Sequence, residues 1–109
     1  YYKPMPKQGK KSVSCPVEAT LDIIGKKWTI LVIRDLLTGT KRWNELLRSL
    51  EGISPRTLAA RLDELAEHRI IRKKIYPEVP PRTEYTLTPR GKDLHSIIDQ
   101  MSRWGAHHE

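Results

Sequence analysis

The 109-residue chain has one cysteine, no run of 18 or more apolar residues and no glycine-rich phosphate loop. A single cysteine closes no internal disulfide and builds no cysteine-rich zinc site. Without a long apolar run, no helix spans a bilayer. The opening segment YYKPMPKQGKKSVS has no apolar centre, so no secretory signal is expected in the chain as it stands. There is no His-x-x-x-His spacing and no nucleophile beside an evident base, so neither an enzyme nor a metal or cofactor site is expected. His68 reads as the end of a helix, and His107-His108 as an adjacent pair near the chain end. What these absences leave is one cytoplasmic, non-catalytic domain.

What the chain does have is positive charge. Twenty Lys and Arg stand against thirteen Asp and Glu, a net +7, which favours a polyanion as partner. Residues 1–14 hold Lys3, Lys7, Lys10 and Lys11 with no acid, so the rest carries only +3. That segment reads as a basic flexible tail, and residues 15–109 as the folded domain. Any claim of nucleic-acid binding then depends on where the remaining charges lie.

Apolar spacing predicts mainly helices with one small β-hairpin. Cys15-Pro16 opens a first helix with Val17, Leu21 and Ile24 on one face, stopped by Gly25. Trp28 to Leu37 is apolar nearly all round, the mark of a central buried helix, and Gly39 ends it. A short helix from about Arg42 to Leu50 carries the stripe Trp43, Leu46, Leu47, Leu50. After Glu51-Gly52, Ser54-Pro55 supplies an N-cap and a first-turn proline for a fourth helix. Its buried face is Leu58, Leu62 and Leu65, fading near His68. Ile71–Tyr76 and Thr83–Leu87 are strand-like, and the proline-rich segment from Pro77 to Arg82 between them makes a hairpin tip. Thr88-Pro89 launches one last helix, taken as 89–106, with the stripe Leu94, Ile97, Ile98, Met101 and Trp104. Two helices across a short turn, then a hairpin, describe a winged helix-turn-helix whose fourth helix is the reader by position.

The outer face of that helix is polar in a particular order. Ser54, Arg56, Thr57, Ala60 and Arg61 come first; Asp63, Glu64 and Glu67 follow. A helix N-terminus offers free N–H groups to phosphate, and the early residues of a recognition helix meet base edges. Acids late in a helix oppose its dipole, so the order costs stability and points to function. The bland alternative is a solvated face on which Arg56 and Arg61 pair with neighbouring acids. Lys41 and Arg42, opening the short helix, are candidate phosphate contacts; Lys26 and Lys27 are weaker ones. Arg72, Lys73 and Lys74 make the hairpin basic, and Arg82 at its tip is the candidate for a minor groove. The same charges also protect an edge hairpin from aggregation.

Taken together, CPVEATLDIIGKKWTILVIRDLL and KRWNELLRSLEGISPRTLAARLDELAEHRIIRKKIYPEVPPRTEYTLTPRGKDL resemble the HxlR family of winged-helix transcription regulators, in the MarR-like superfamily. The specific signals are the Cys-Pro start, Gly25-Lys26-Lys27-Trp28, Gly52-Ile53-Ser54-Pro55, and the run from Tyr76 to Arg82 leading to Tyr85-Thr86-Leu87-Thr88. Lys26 stands where the family often has a second glycine, and Trp43 where it often has phenylalanine. The resemblance implies homodimers joined through their terminal helices that bind double-stranded operator DNA, an inverted repeat. It thereby assigns the stripe from Leu94 to Trp104 to the dimer interface. It also implies, for Cys15, the position of a redox or electrophile sensor. A helix N-terminus favours a thiolate, Glu18 and Asp22 work against one, and the alternative is a structural cysteine at a helix start. With one cysteine, any disulfide would be intermolecular. A small-molecule or oxidant effector is the expected signal. Two other readings stay open: a winged-helix protein–protein module, which would want exposed apolar residues on the reading face, and nonspecific nucleic-acid binding through the lysine tail.

Overall fold

The computed structural model describes residues 15–108; the basic segment 1–14 lies outside them. The order is α1 (Pro16–Ile24), α2 (Lys27–Leu36), β1 (Lys41–Arg42), α3 (Trp43–Ser49), α4 (Pro55–Glu67), β2 (Ile71–Tyr76), β3 (Arg82–Leu87), α5 (Pro89–Lys92) and α6 (His95–His108). Helix α2 is the hub, packing against α1, α3, α4, α6 and β3. Val32, Ile33 and Leu36 are buried on it, as its apolar circumference requires. Around them close Leu46 and Leu50 of the short helix, Leu58, Leu62 and Leu65 of α4, Ile70 and Ile71, and Tyr85 and Leu87 of β3. This one core fixes α3 and α4 as the helix pair and β2–β3 as the wing.

Helix α4 begins as its sequence dictates. Ser54 is in extended conformation, and its hydroxyl accepts the Thr57 N–H at 3.0 Å, while Pro55 occupies the first turn. The helix closes with a Schellman pair: Ile70 N–H donates to the Leu65 carbonyl and Arg69 N–H to that of Ala66. Arg69 takes φ 59°, the left-handed conformation that this motif usually gives to glycine.

Three expectations are corrected. Lys41 and Arg42 open α3 from a strand that was not expected, with Arg42 as the N-cap, its N–H donating to the Glu45 carboxylate at 2.7 Å. They form β1, with Lys41 opposite Tyr85 and Arg42 opposite Glu84, so the sheet has three strands in the order β1-β3-β2. A two-residue strand leaves no alternation to read, and its edge is created only by folding. Arg82 does not sit in the hairpin loop; it is the first residue of β3, paired with Tyr76. The last helix is not continuous over 89–106. Thr88 caps α5 by accepting the Gly91 N–H, and the chain turns at Asp93 and Leu94 before α6 begins. Gly91 of α5 is buried so tightly that a β-carbon there would collide with the Ile70 carbonyl oxygen and the Leu87 side chain. That contact ties α5 to the sheet, while Ile98 draws α6 toward α2.

Candidate nucleic-acid interface

The N-terminal end of α4 presents an exposed cation. Arg56 is exposed in its first turn and has no carboxylate partner among the described residues. Thr57 is half-buried, and its Oγ1 accepts the Ser54 hydroxyl at 3.0 Å, so both side chains are engaged in the cap. Arg61 behaves differently. Its guanidinium clasps Glu64, with Nε 3.1 Å from Oε1 and Nη2 3.2 Å from Oε2. Glu64 also accepts Lys26 at 3.2 Å, which ties the start of α2 to the third turn of α4. The pairing of Arg61 with a neighbouring acid, the bland alternative, is therefore present.

The wing carries a second cationic group. Alternation along β2 and β3 puts Arg72, Lys74 and Tyr76 on the same side of the sheet as Arg82, Glu84 and Thr86, opposite the buried Tyr85 and Leu87. Arg82 is held from three directions. Its guanidinium carbon lies 3.9 Å from the centre of the Tyr76 ring, Nη1 is 3.2 Å from Glu78, and Nε is 3.4 Å from Glu84. The Arg42 Nε lies 4.0 Å from the same Glu84 oxygen. Lys74, two residues earlier on the same strand, lies 4.9 Å from the centre of the Tyr76 ring. Lys41, Arg72 and Lys73 have no carboxylate partner among the described residues. Sequence reasoning found the wing's cations and missed Glu78 and Glu84, which hold Arg82. The period-2 pattern that puts Arg82, Glu84, Lys74 and Tyr76 on one face was the available signal.

Tyr85 joins wing to helix. The phenol is buried, and burial first, then the nearby charge of Asp63 on α4, raises its pKa above the ordinary tyrosine value. Cys15 stands at the N-cap of α1, buried, and its side chain makes no capping hydrogen bond. Among the described residues no group of three His, Cys, Asp or Glu could hold a metal, and no helix is long and apolar enough to cross a membrane.

The C-terminal stripe divides. Ile98 is buried in the protomer and Leu94 packs partly against the core, whereas Ile97, Met101 and Trp104 are exposed, Trp104 by 66%. Val17 and Leu21 of α1 are exposed as well. Together with Ile30 and Leu31 of α2, they line an open apolar groove of about 600 Å³ that includes Ile97 and Met101.

The comparisons agree with this architecture. The HxlR-like helix-turn-helix family model matches residues 23–109. An HTH-type transcriptional regulator of Synechocystis is 42% identical over 92 residues, covering 84% of this chain and 68% of its own length. The structure of a MarR-family transcriptional regulator from Porphyromonas gingivalis W83 superposes with a TM-score of 0.86 at 38% identity, covering 94% of this chain and all of that one. The redox regulator HypR in its oxidised form gives 0.82 at 41% identity, over 87% of this chain and 98% of that one. With the helix pair, the wing and the family match in agreement, the chain belongs to the HxlR-like helix-turn-helix family of transcriptional regulators.

Proposed function

We propose that the chain acts in the cytoplasm as a homodimer that reads an inverted-repeat operator in double-stranded DNA through α4 and the wing. The observation that carries this reading is the start of α4, where the Ser54 cap fixes the helix and leaves Arg56 exposed and uncommitted. Arg56 and Thr57, with Arg61 after release from Glu64, face the bases or flanking phosphates. Lys41 and Arg42 meet the backbone, and Arg82 brings the wing toward the minor groove. No large apolar side chain is exposed on α4, which disfavours partner docking there.

Dimerisation is assigned to the groove between α1 and α6, where Val17, Leu21, Ile97 and Met101, with exposed Trp104 further along α6, leave more apolar surface than a protomer alone needs. Ile98 and Leu94 support that face from inside the protomer. Cys15 lies at the start of α1, so oxidation there would bear on the same interface. Its likeness to HypR, a redox regulator, supports an oxidant as effector.

Selection from a random duplex pool tests the reading. Enrichment of an inverted repeat with half-sites about one helical turn apart, bound by two chains, is expected. Enrichment of no sequence, with weak binding lost on deleting residues 1–14, would assign the charge to nonspecific association instead.

A further inference from the structure

Three of the cations assigned to DNA, Arg42, Arg61 and Arg82, are held by carboxylates, and two glutamates account for most of that restraint. Glu84 lies between Arg42 of β1 and Arg82 of β3, at 4.0 and 3.4 Å. Glu64 lies between Lys26 and Arg61, at 3.2 and 3.1 Å. Each bridges two cations, and both are half-buried among their partners. The Asp99–Arg103 pair on α6 is different: one carboxylate, one cation, at helical i,i+4 spacing.

We propose that Glu64 and Glu84 are specificity-determining residues: each withholds two cations from the phosphate backbone and thereby suppresses binding to DNA of arbitrary sequence. The proposal rests on the DNA-binding reading above. A phosphate must displace a carboxylate before Arg42, Arg61, Arg82 or Lys26 contacts the backbone, and the displaced carboxylate then lies close to the polyanion. On an operator, base contacts from the start of α4 hold the register in which this exchange occurs at every site together. On other sequences nothing holds that register, and the glutamates keep the cations. Affinity for arbitrary DNA comes almost wholly from the number of phosphates neutralised, so removing four cations from the count acts chiefly there.

The test measures binding of the 109-residue chain to a short random-sequence duplex across a series of salt concentrations. Wild type is compared with Glu64→Gln, Glu84→Gln and Asp99→Asn, which make the same change in net charge. In Glu64→Gln the slope of log affinity against log salt is expected to steepen by about one to two, and in Glu84→Gln by about one, because Glu78 still holds Arg82, with about tenfold tighter binding at low salt. Asp99→Asn is expected to match wild type. Unchanged slopes in the glutamine variants, with or without a lower melting temperature, would make the glutamates structural ties only and overturn the proposal. Equal steepening in Asp99→Asn would also overturn it, by reducing the effect to net charge. Steepening in one glutamine variant alone would remove the other residue from the assignment. Wild type that binds no duplex at any salt would overturn the DNA reading itself, an outcome separate from wild type that binds and variants that do not differ.

Discussion

The guanidinium of Arg82 lies 3.9 Å from the ring centre of Tyr76, the residue directly opposite it across the hairpin. The pair closes the open end of the wing beneath Pro77–Pro81, where prolines cannot continue the ladder. Arg82 therefore builds the wing before it can contact anything else. Arg82→Ala and Tyr76→Ala are each expected to speed amide exchange in β2 and β3, leaving α2 unchanged. A double-mutant cycle should give a coupling of about 0.5–1 kcal/mol. Additive effects would mean that the contact does not organise the hairpin.

Two turns make opposite predictions for the same measurement. Arg69 holds a left-handed conformation at the end of α4 that glycine adopts without steric cost, so Arg69→Gly should stabilise the fold by about 0.5–1 kcal/mol. Gly91→Ala should destabilise it by about 1–3 kcal/mol, because the methyl group collides with the Ile70 carbonyl oxygen. Chemical denaturation reads both.

These turns also mark how far the sequence was legible. Helix starts carried by side-chain chemistry, Ser54-Pro55 and Thr88-Pro89, appear where expected, and so do the core faces Leu58, Leu62, Leu65 and Leu46, Leu50. What could not be read depends on contacts distant in sequence. Strand β1 exists because Lys41 and Arg42 meet Tyr85 and Glu84. The close packing of Gly91 of α5 on Ile70 is another such contact. Arg61 and Arg82 were legible as cations of the fourth helix and the wing, and pairing of Arg61 with a neighbouring acid was the stated alternative, but the bonds of Arg82 to Glu78 and Glu84 needed the fold.

Tyr85 predicts a pH dependence. Its folded pKa is raised, so the folded phenol holds its proton more tightly than the unfolded one, whose value is about 10. The stabilisation is complete below about pH 10 and is lost as pH rises through the folded value. Unfolding free energy should fall in that window, and Tyr85→Phe should flatten the fall. An identical alkaline profile for the two proteins would remove Tyr85 as its source.

Cys15 makes a prediction about regulation. Diamide oxidises two thiols to a disulfide, and with one cysteine per chain the bond joins two chains or a chain and a small thiol. Operator affinity of the wild type should drop on treatment and recover with reductant, while Cys15→Ser stays constant. Equal affinity of treated and untreated wild type would leave the buried thiol a structural residue at the start of α1.

The central claim is that the start of α4 reads DNA, and Arg56 tests it most directly because its side chain has no carboxylate partner among the described residues to lose. The measurement is the equilibrium binding of wild type and Arg56→Ala to the duplex enriched by selection, after both are shown to melt alike. A loss of about 1–3 kcal/mol, with relaxed preference at one base pair of each half-site, is predicted. An isotherm superimposable on that of the wild type would contradict the account.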